Sequence, residues 1–382
     1  VELFNAGGAA RQRQASLLLA FGPSKAGPAL RRGALVAVPV GLALVLELGL
    51  DSATKGAIGT GALLAGFPGL DAPARVRAGW QAATAPLIGV AAALGVLTGS
   101  SPFLAVPAMA LIGAAAGYGF SVSLRFAIAG LSVALSLLIA QGLPLDTADT
   151  VPALLLATAG GLLQAAFSLC VWAAGGWAEE VEAWSTPVAL AALRSNLSLG
   201  SASFRHALRF GAALAAGVAA YWLLGMSEHG FWIPLTILFV LRPEEGETFN
   251  RLALRAAGTA IGLVFATALA EWLGGDGVAI ALVLAIATGF AYGLLTVQYA
   301  LFTAAITTYA VLLADSIGEA ALRAAGQRAL ATAIGIAISA LAFLLWPNPG
   351  EGLGGIRGKA GRFPGQAAKL ARGARRRHRR RL

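Results

Sequence analysis

Cysteine is almost missing from this chain of 382 residues. The one present, Cys170, leaves no partner for an intrachain disulfide and too few thiolates for a cysteine-held metal. It lies in an apolar stretch and reads as a small core residue. Histidine is nearly as scarce: His206, His229 and His378 lie far apart, with no ligand spacing around them. No Gly-rich phosphate loop, nucleophile elbow or pair of carboxylates within an apolar segment appears, so no catalytic residue, cofactor or metal is expected. Charge is the other deficit. Only 12% of residues are charged, where a soluble domain carries about 25%.

What fills the space is apolar. Hydrophobic residues make up 58% of the chain and the mean hydropathy is +0.75. Between Arg77 and Arg125 stand 47 uncharged residues, and Val278 to Ala314 adds 37 more. Each run holds two membrane passes of about 20 residues. The fold class expected is therefore all-α and polytopic.

The net charge of +10 is concentrated at one end. From Arg357 onward there are 11 Lys or Arg and no acid, so residues 1–356 sum to −1. The run "GARRRHRRRL" fits anionic lipid headgroups, at about 1 kcal/mol per basic residue. Nucleic acid is not expected as a partner. Residues 1–16 are polar and "ASLLLAFG" is too short for a secretory signal, which leaves insertion to the first membrane helix.

Charges and Gly/Pro turns divide the chain into about twelve spans in two sets of six. The first set covers 33–50, 54–70, 80–98, 102–120, 124–142 and 151–173. The second covers 208–225, 229–241, 252–273, 277–295, 298–314 and 321–346. With a cytoplasmic N-terminus, 25 Lys or Arg fall on the cytoplasmic side and only Lys55, Arg323 and Arg328 on the other. Acids such as Glu47 lie with those three. That split is a strong positive-inside signal placing both termini in the cytoplasm.

The halves echo each other: "ALRRGALVA" (29–37) matches "ALRFGAALA" (207–215) at an offset of 178, which also sets Arg77 over Arg255. Six helices per unit make such repeats parallel. The organisation expected is a cytoplasmic segment 1–28, a six-helix repeat 29–173, an amphipathic cytoplasmic linker 174–206, a second repeat 207–347 and a basic tail 348–382. Gly258 and Gly262 form a GxxxG, which allows close helix packing.

One stretch, "HGFWIPLTILFVLRPEEGETFNR", is unusual. Its uncharged run Gly230–Leu241 spans only about 18 Å as a helix, short of the about 30 Å hydrocarbon core. Pro243 and Gly246 favour a helix stop and chain reversal near Leu241. Arg251 and Arg255, four apart, then share a helix face. Trp232, Thr236, Arg242, Pro243, Gly246, Thr248, Arg251, Arg255, Gly258 and Thr259 together resemble the signature, here 231–262, of the fusaric acid resistance or aromatic acid exporter family. The family is more distantly similar to plant malate channels.

The resemblance implies a gradient-driven exporter of organic anions, aromatic carboxylic acids above all, in a bacterial inner membrane. It also implies a homo-oligomer and a periplasmic adaptor protein as partners. This chain departs from many relatives in having only about 33 residues between its halves, and its first half lacks the Gly-x-Thr of the signature. A passive anion channel and a non-transporting membrane scaffold stay open beside the exporter.

The anion path expected from the residues runs through Trp232, Thr236, Arg242, Arg251 and Arg255, with Arg125, Arg323 and Arg328 as further cations. Arg125 is included because the malate channels carry basic residues on their fifth helix. Tyr299, Thr303 and Thr307, spaced by four, offer ring and hydroxyl contacts on one face. Glu228 and His229 offer proton coupling. Each has a plainer alternative: topology anchoring for the arginines, helix packing for the tyrosine and threonines, interfacial placement for His229.

Overall fold

The computed structural model describes residues 23–48, 56–175, 186–226, 230–243, 245–295, 297–316 and 321–346. These form thirteen α-helices with two 3-10 turns and no strand among the described residues. The first six are α1 (Pro23–Glu47), α2 (Ala57–Ala65), α3 (Ala74–Gly99), α4 (Pro102–Tyr118), α5 (Leu124–Gly142) and α6 (Thr150–Ala174). A short α7 (Thr186–Ser195) follows. The last six are α8 (Ala202–Leu223), α9 (Trp232–Val240), α10 (Glu245–Leu273), α11 (Gly277–Leu294), α12 (Tyr299–Ser316) and α13 (Ala321–Leu345).

Each of the twelve expected spans contains a helix among the described residues, but the helices are not equivalent. Among the described residues, eight helical segments are long and apolar enough to cross a membrane: α1, α3 to α6, α10, α11 and α13. The protein is thus a multi-pass membrane protein. α12 is shorter, and α8 carries Arg205, His206 and Arg209 in its first turns. α2 and α9 have nine residues each, about 14 Å of helix. Neither can cross a bilayer alone; both are enclosed by neighbours, and in α9 every residue but Phe239 is buried.

The helices pack crosswise between the sets. α1 lies against α11, and α4 lies against α8. Gly33 of α1 faces Gly289 and Gly293, while Gly211 of α8 faces Ala110 and Ala114. These two glycines occupy the same place in the echoing stretches. A side chain at either would run into backbone of the opposite helix, so small residues set the helix distance where apolar lipid supplies no hydrophobic drive. Within each set, α3 packs on α5 and α6, and α10 packs on α12 and α13.

Outward faces carry exposed Leu87, Leu111, Leu155, Val264, Leu282 and Leu341, as lipid contact requires. Cys170 belongs with them: it is exposed on α6 rather than packed in the core. Glu47, expected at an outer edge, is instead buried, and its Oε1 accepts from the amides of Ile58 (2.6 Å) and Gly59 (3.2 Å) at the start of α2. A carboxylate there satisfies amides that a helix start leaves unpaired.

Candidate functional site

The Arg-Pro…Gly-x-Thr stretch builds a turn. α9 ends at Val240, Leu241 is extended and α10 starts at Glu245. Gly246 therefore lies in the first turn of α10, not in the reversal itself. Thr248 ties the turn together: its hydroxyl accepts from the Arg242 amide (3.1 Å) and donates to the Arg242 carbonyl (3.3 Å). A threonine one turn into α10 thus satisfies the buried backbone that the stop of α9 leaves open.

A second clamp comes from α8. Arg209 is buried and donates to the carbonyls of Trp346 (2.9 Å), Arg242 (3.4 Å) and Pro243 (3.4 Å). Its guanidinium lies 4.1 Å from the Phe343 ring centre. One side chain joins the ends of α9 and α13 in this way. Sequence reasoning missed Arg209 as a site residue, although its place inside "ALRFGAALA", a charge within an otherwise apolar stretch, was a usable signal. His206 is buried one turn earlier, its Nδ1 3.4 Å from the Arg209 guanidinium. Burial, and then the charges of Arg209 and Arg242, hold its pKa well below the ordinary histidine value.

Beside this turn opens a cavity of about 660 Å³ between the two sets of helices. Ile128, Leu131 and Leu135 of α5 form one wall. Phe67, Phe120, Phe239 and Tyr299 supply aromatic surface. Arg242, Arg251, Asn250, Gln298 and Ser203 contribute polar groups. Arg251 lies over the Tyr299 ring at 4.5 Å and Arg242 over Phe120 at 5.6 Å. Cations over ring faces are held in place without losing their charge. The Tyr299 hydroxyl donates to the Phe239 backbone carbonyl (3.1 Å), which orients the tyrosine ring.

Behind Phe239 the remaining expected residues meet. Arg255 lies 5.4 Å from the Phe239 ring and Arg328 lies 5.1 Å from the Trp232 ring. Trp232, Thr236 and Phe239 follow one face of α9 at helical spacing. The Thr236 hydroxyl donates to the Trp232 carbonyl (3.0 Å), and Gly335 of α13 packs against Thr236. Thr303 and Thr307 of α12 pack on Gly258 and Gly262 of α10; a Cβ on Gly262 would come within 2.6 Å of the Ala304 carbonyl oxygen. The Cβ atoms of those threonines thus face the glycines of α10, while their hydroxyls are buried without a partner.

Some expected residues lie elsewhere. Arg125 is paired with Asp71 (3.4 Å), both partly exposed at 33% and 63%, and does not line the cavity. Arg323 is exposed whereas Arg328 is buried. Five residues turn a helix by about 500°, which puts the two about 140° apart around α13. Glu228, His229 and the basic tail lie outside the described residues. In the first half, Arg77 stands where Arg255 stands in the second, but donates to Ser168 Oγ (3.3 Å) and the Ala72 carbonyl (3.3 Å).

Comparison with known proteins agrees with the resemblance carried by the signature. Residues 214–342 match the family described as fusaric acid resistance protein-like. The chain is 37% identical over 150 residues to "Inner membrane protein YccS" of Escherichia coli (strain K12), covering 39% of this chain and 20% of that protein. It is 38% identical over 132 residues to "Uncharacterized protein slr1298" of Synechocystis sp., covering 32% of this chain and 16% of that protein. It is also 31% identical over 158 residues to "Uncharacterized protein ORF2" of Neisseria gonorrhoeae, covering 41% and 37%. The matches thus span between about a sixth and two fifths of the length of these relatives. No solved structure matches.

Proposed function

We propose that this chain, a member of the fusaric acid resistance protein-like family across its second half, forms the membrane path of a transporter that exports organic anions, aromatic carboxylates above all. The observation that carries the reading is the cavity of about 660 Å³ with its aromatic walls and the guanidiniums of Arg242 and Arg251. Small-molecule sites commonly measure about 300–1,000 Å³ and combine apolar walls with a few placed polar groups. A ring-bearing carboxylate fits both parts: the ring meets Phe67, Phe120, Phe239 and Tyr299, and the carboxylate meets the arginines.

The α9–α10 turn belongs to the side on which the sequence concentrates Lys and Arg, so we take the cavity to open to the cytoplasm. Anions there meet cations in a low-dielectric funnel, which raises their local concentration. Transport would run outward through the bundle of a bacterial inner membrane, driven by an ion gradient, with both termini cytoplasmic. The similarity of the echoing stretches, and the crosswise packing of α1 on α11 and α4 on α8, support two six-helix units related by an axis along the membrane normal.

Uptake of labelled benzoate into proteoliposomes under an imposed pH gradient tests the reading. Saturable flux that moves uphill and weakens in Arg251→Gln is the expected result. Absence of flux for a panel of aromatic acids, under both pH and voltage gradients, would remove the proposal. Uncoupled single-channel current in planar bilayers would reassign the protein as a passive anion channel.

A further inference from the structure

Two charges are not accounted for by the open cavity. Arg255 and Arg328 are completely buried on α10 and α13, and no Nε or Nη atom of either has a hydrogen-bond partner among the described residues. Taking a guanidinium out of water without a counter-charge is strongly unfavourable. A second one nearby makes it worse, and the charge that acts on Arg328 is the like charge of Arg255. The Tyr299 hydroxyl approaches Arg255 as a side-chain hydrogen-bonding group, but it reaches none of the guanidinium nitrogens within hydrogen-bond geometry and donates to the Phe239 carbonyl. Of the described carboxylates, the buried Glu47 holds the start of α2 and Asp71 pairs with Arg125.

The surroundings share the same imbalance. Thr259 follows Arg255 by one turn, Thr332 follows Arg328 by one turn, and Thr303 and Thr307 come from α12. All four hydroxyls are buried without a partner. Trp232 and Phe239 hold the two guanidiniums by their ring faces, which orients a cation but leaves its N–H donors unused. Buried donors in native proteins are paired in the great majority of cases, so an unpaired group of this size points to a missing acceptor. The first half offers the control, since Arg77, in the place of Arg255, has its acceptors within the protein.

We propose that Arg255 and Arg328 form a second anion-binding station, occluded within the second half of the bundle and separated from the open cavity by the Phe239 and Tyr299 rings. Its ligand is a single monovalent anion of carboxylate or halide size. The guanidiniums neutralise it, and the hydroxyls of Thr259 and Thr332 are placed to complete its shell. Phe239 touches both compartments, lining the cavity on one side and lying under Arg255 on the other. As a stop on a transport route, the station rests on the reading above. As an anion site it stands on its own geometry.

The test uses the full chain purified in detergent, with thermal unfolding followed in sodium gluconate, sodium chloride and sodium benzoate at equal ionic strength. A bound anion stabilises the folded state by mass action, so the midpoint should rise by a few degrees with concentration in benzoate or chloride relative to the bulky gluconate. Arg328→Gln should reduce that rise and should also unfold later than wild type in gluconate, because an uncompensated charge is gone. Arg251→Gln, which weakens only the cavity, should keep the chloride response. A response to benzoate but not chloride that persists in Arg251→Gln and falls in Arg328→Gln assigns the station to the cargo. A response to both assigns it to a halide that the cargo replaces, and either outcome supports the site.

A wild-type midpoint indifferent to all three anions overturns the proposal. So does a response of full size in both Arg328→Gln and Arg255→Gln. Should Arg328→Gln fail to fold, Arg255→Gln and Arg328→Met carry the comparison. No flux is read, so a protein that binds anions here and carries none would overturn the transport reading alone.

Discussion

Replacing Thr248 with valine removes one oxygen and almost no volume. That oxygen makes two bonds to Arg242, accepting from its amide at 3.1 Å and donating to its carbonyl at 3.3 Å. A protein hydrogen bond contributes a net of about 0.5–1.5 kcal/mol, and a buried donor left without a partner costs about 1–3 kcal/mol. The backbone of Arg242 is at the buried end of α9, where water cannot easily substitute. We therefore expect Thr248→Val to destabilise the protein by about 2–3 kcal/mol, a fall in the unfolding midpoint of roughly 5 °C at about 2 °C per kcal/mol. Thr248→Ser keeps the oxygen and should recover most of the loss. Thermal unfolding of the three proteins in detergent, followed by tryptophan fluorescence, makes the comparison. If valine and serine melt together, the hydroxyl does not hold the turn, and the threonine of the signature has some other role. Because the same turn aims Arg242 at the cavity, the valine variant should also transport more slowly than its stability loss alone explains.

Other expectations follow from the same geometry. Arg251→Gln should raise the KM for benzoate several-fold at unchanged unfolding midpoint, whereas Arg125→Gln, which breaks a partly exposed ion pair of about 0–1 kcal/mol, should alter neither in a flux assay. Gly262→Val should force α10 from α12, since even a Cβ comes within 2.6 Å of the Ala304 carbonyl oxygen; overpacking of this kind costs about 1–3 kcal/mol or more, and loss of folded yield on size-exclusion chromatography would report it. His206 is held neutral in the fold, so below the unfolded value of about 6.5 the unfolded state binds more protons and stability falls with pH. His206→Phe should flatten the difference between midpoints at pH 7.5 and pH 5.5, and an unchanged slope would refute that assignment.

Hydropathy made the twelve helical segments legible, because a helix in lipid must be continuously apolar and its ends must carry charge or turn residues. It could not distinguish helices that cross from helices that are enclosed. α2 and α9 have the composition of spans but nine residues each, and only their neighbours explain why that suffices. The signature pointed to the right turn, yet the partner that locks it, Arg209, lies 33 residues from Arg242 and reads in sequence as one arginine among many. Spacing misled at α13: Arg323 and Arg328 look like a pair in sequence and lie on different sides of the helix. Arg125 likewise looked free because Asp71, 54 residues earlier, is not a neighbour that any local pattern reveals. Contacts between distant residues decide which arginines are spent and which are not.

The crosswise packing of α1 on α11 and α4 on α8 also sets a timetable for synthesis. α1 ends at Glu47 and α11 begins at Gly277; at about 5–20 residues per second, that gap corresponds to roughly ten to fifty seconds of translation. During that interval α1 lacks its α11 partner at Gly33, although Gln164 of α6 can already reach the Val36 carbonyl (2.8 Å). α4 waits for α8 in the same way, though for a shorter time. Two separately expressed halves should then rescue each other when made together, and each should be degraded when made alone.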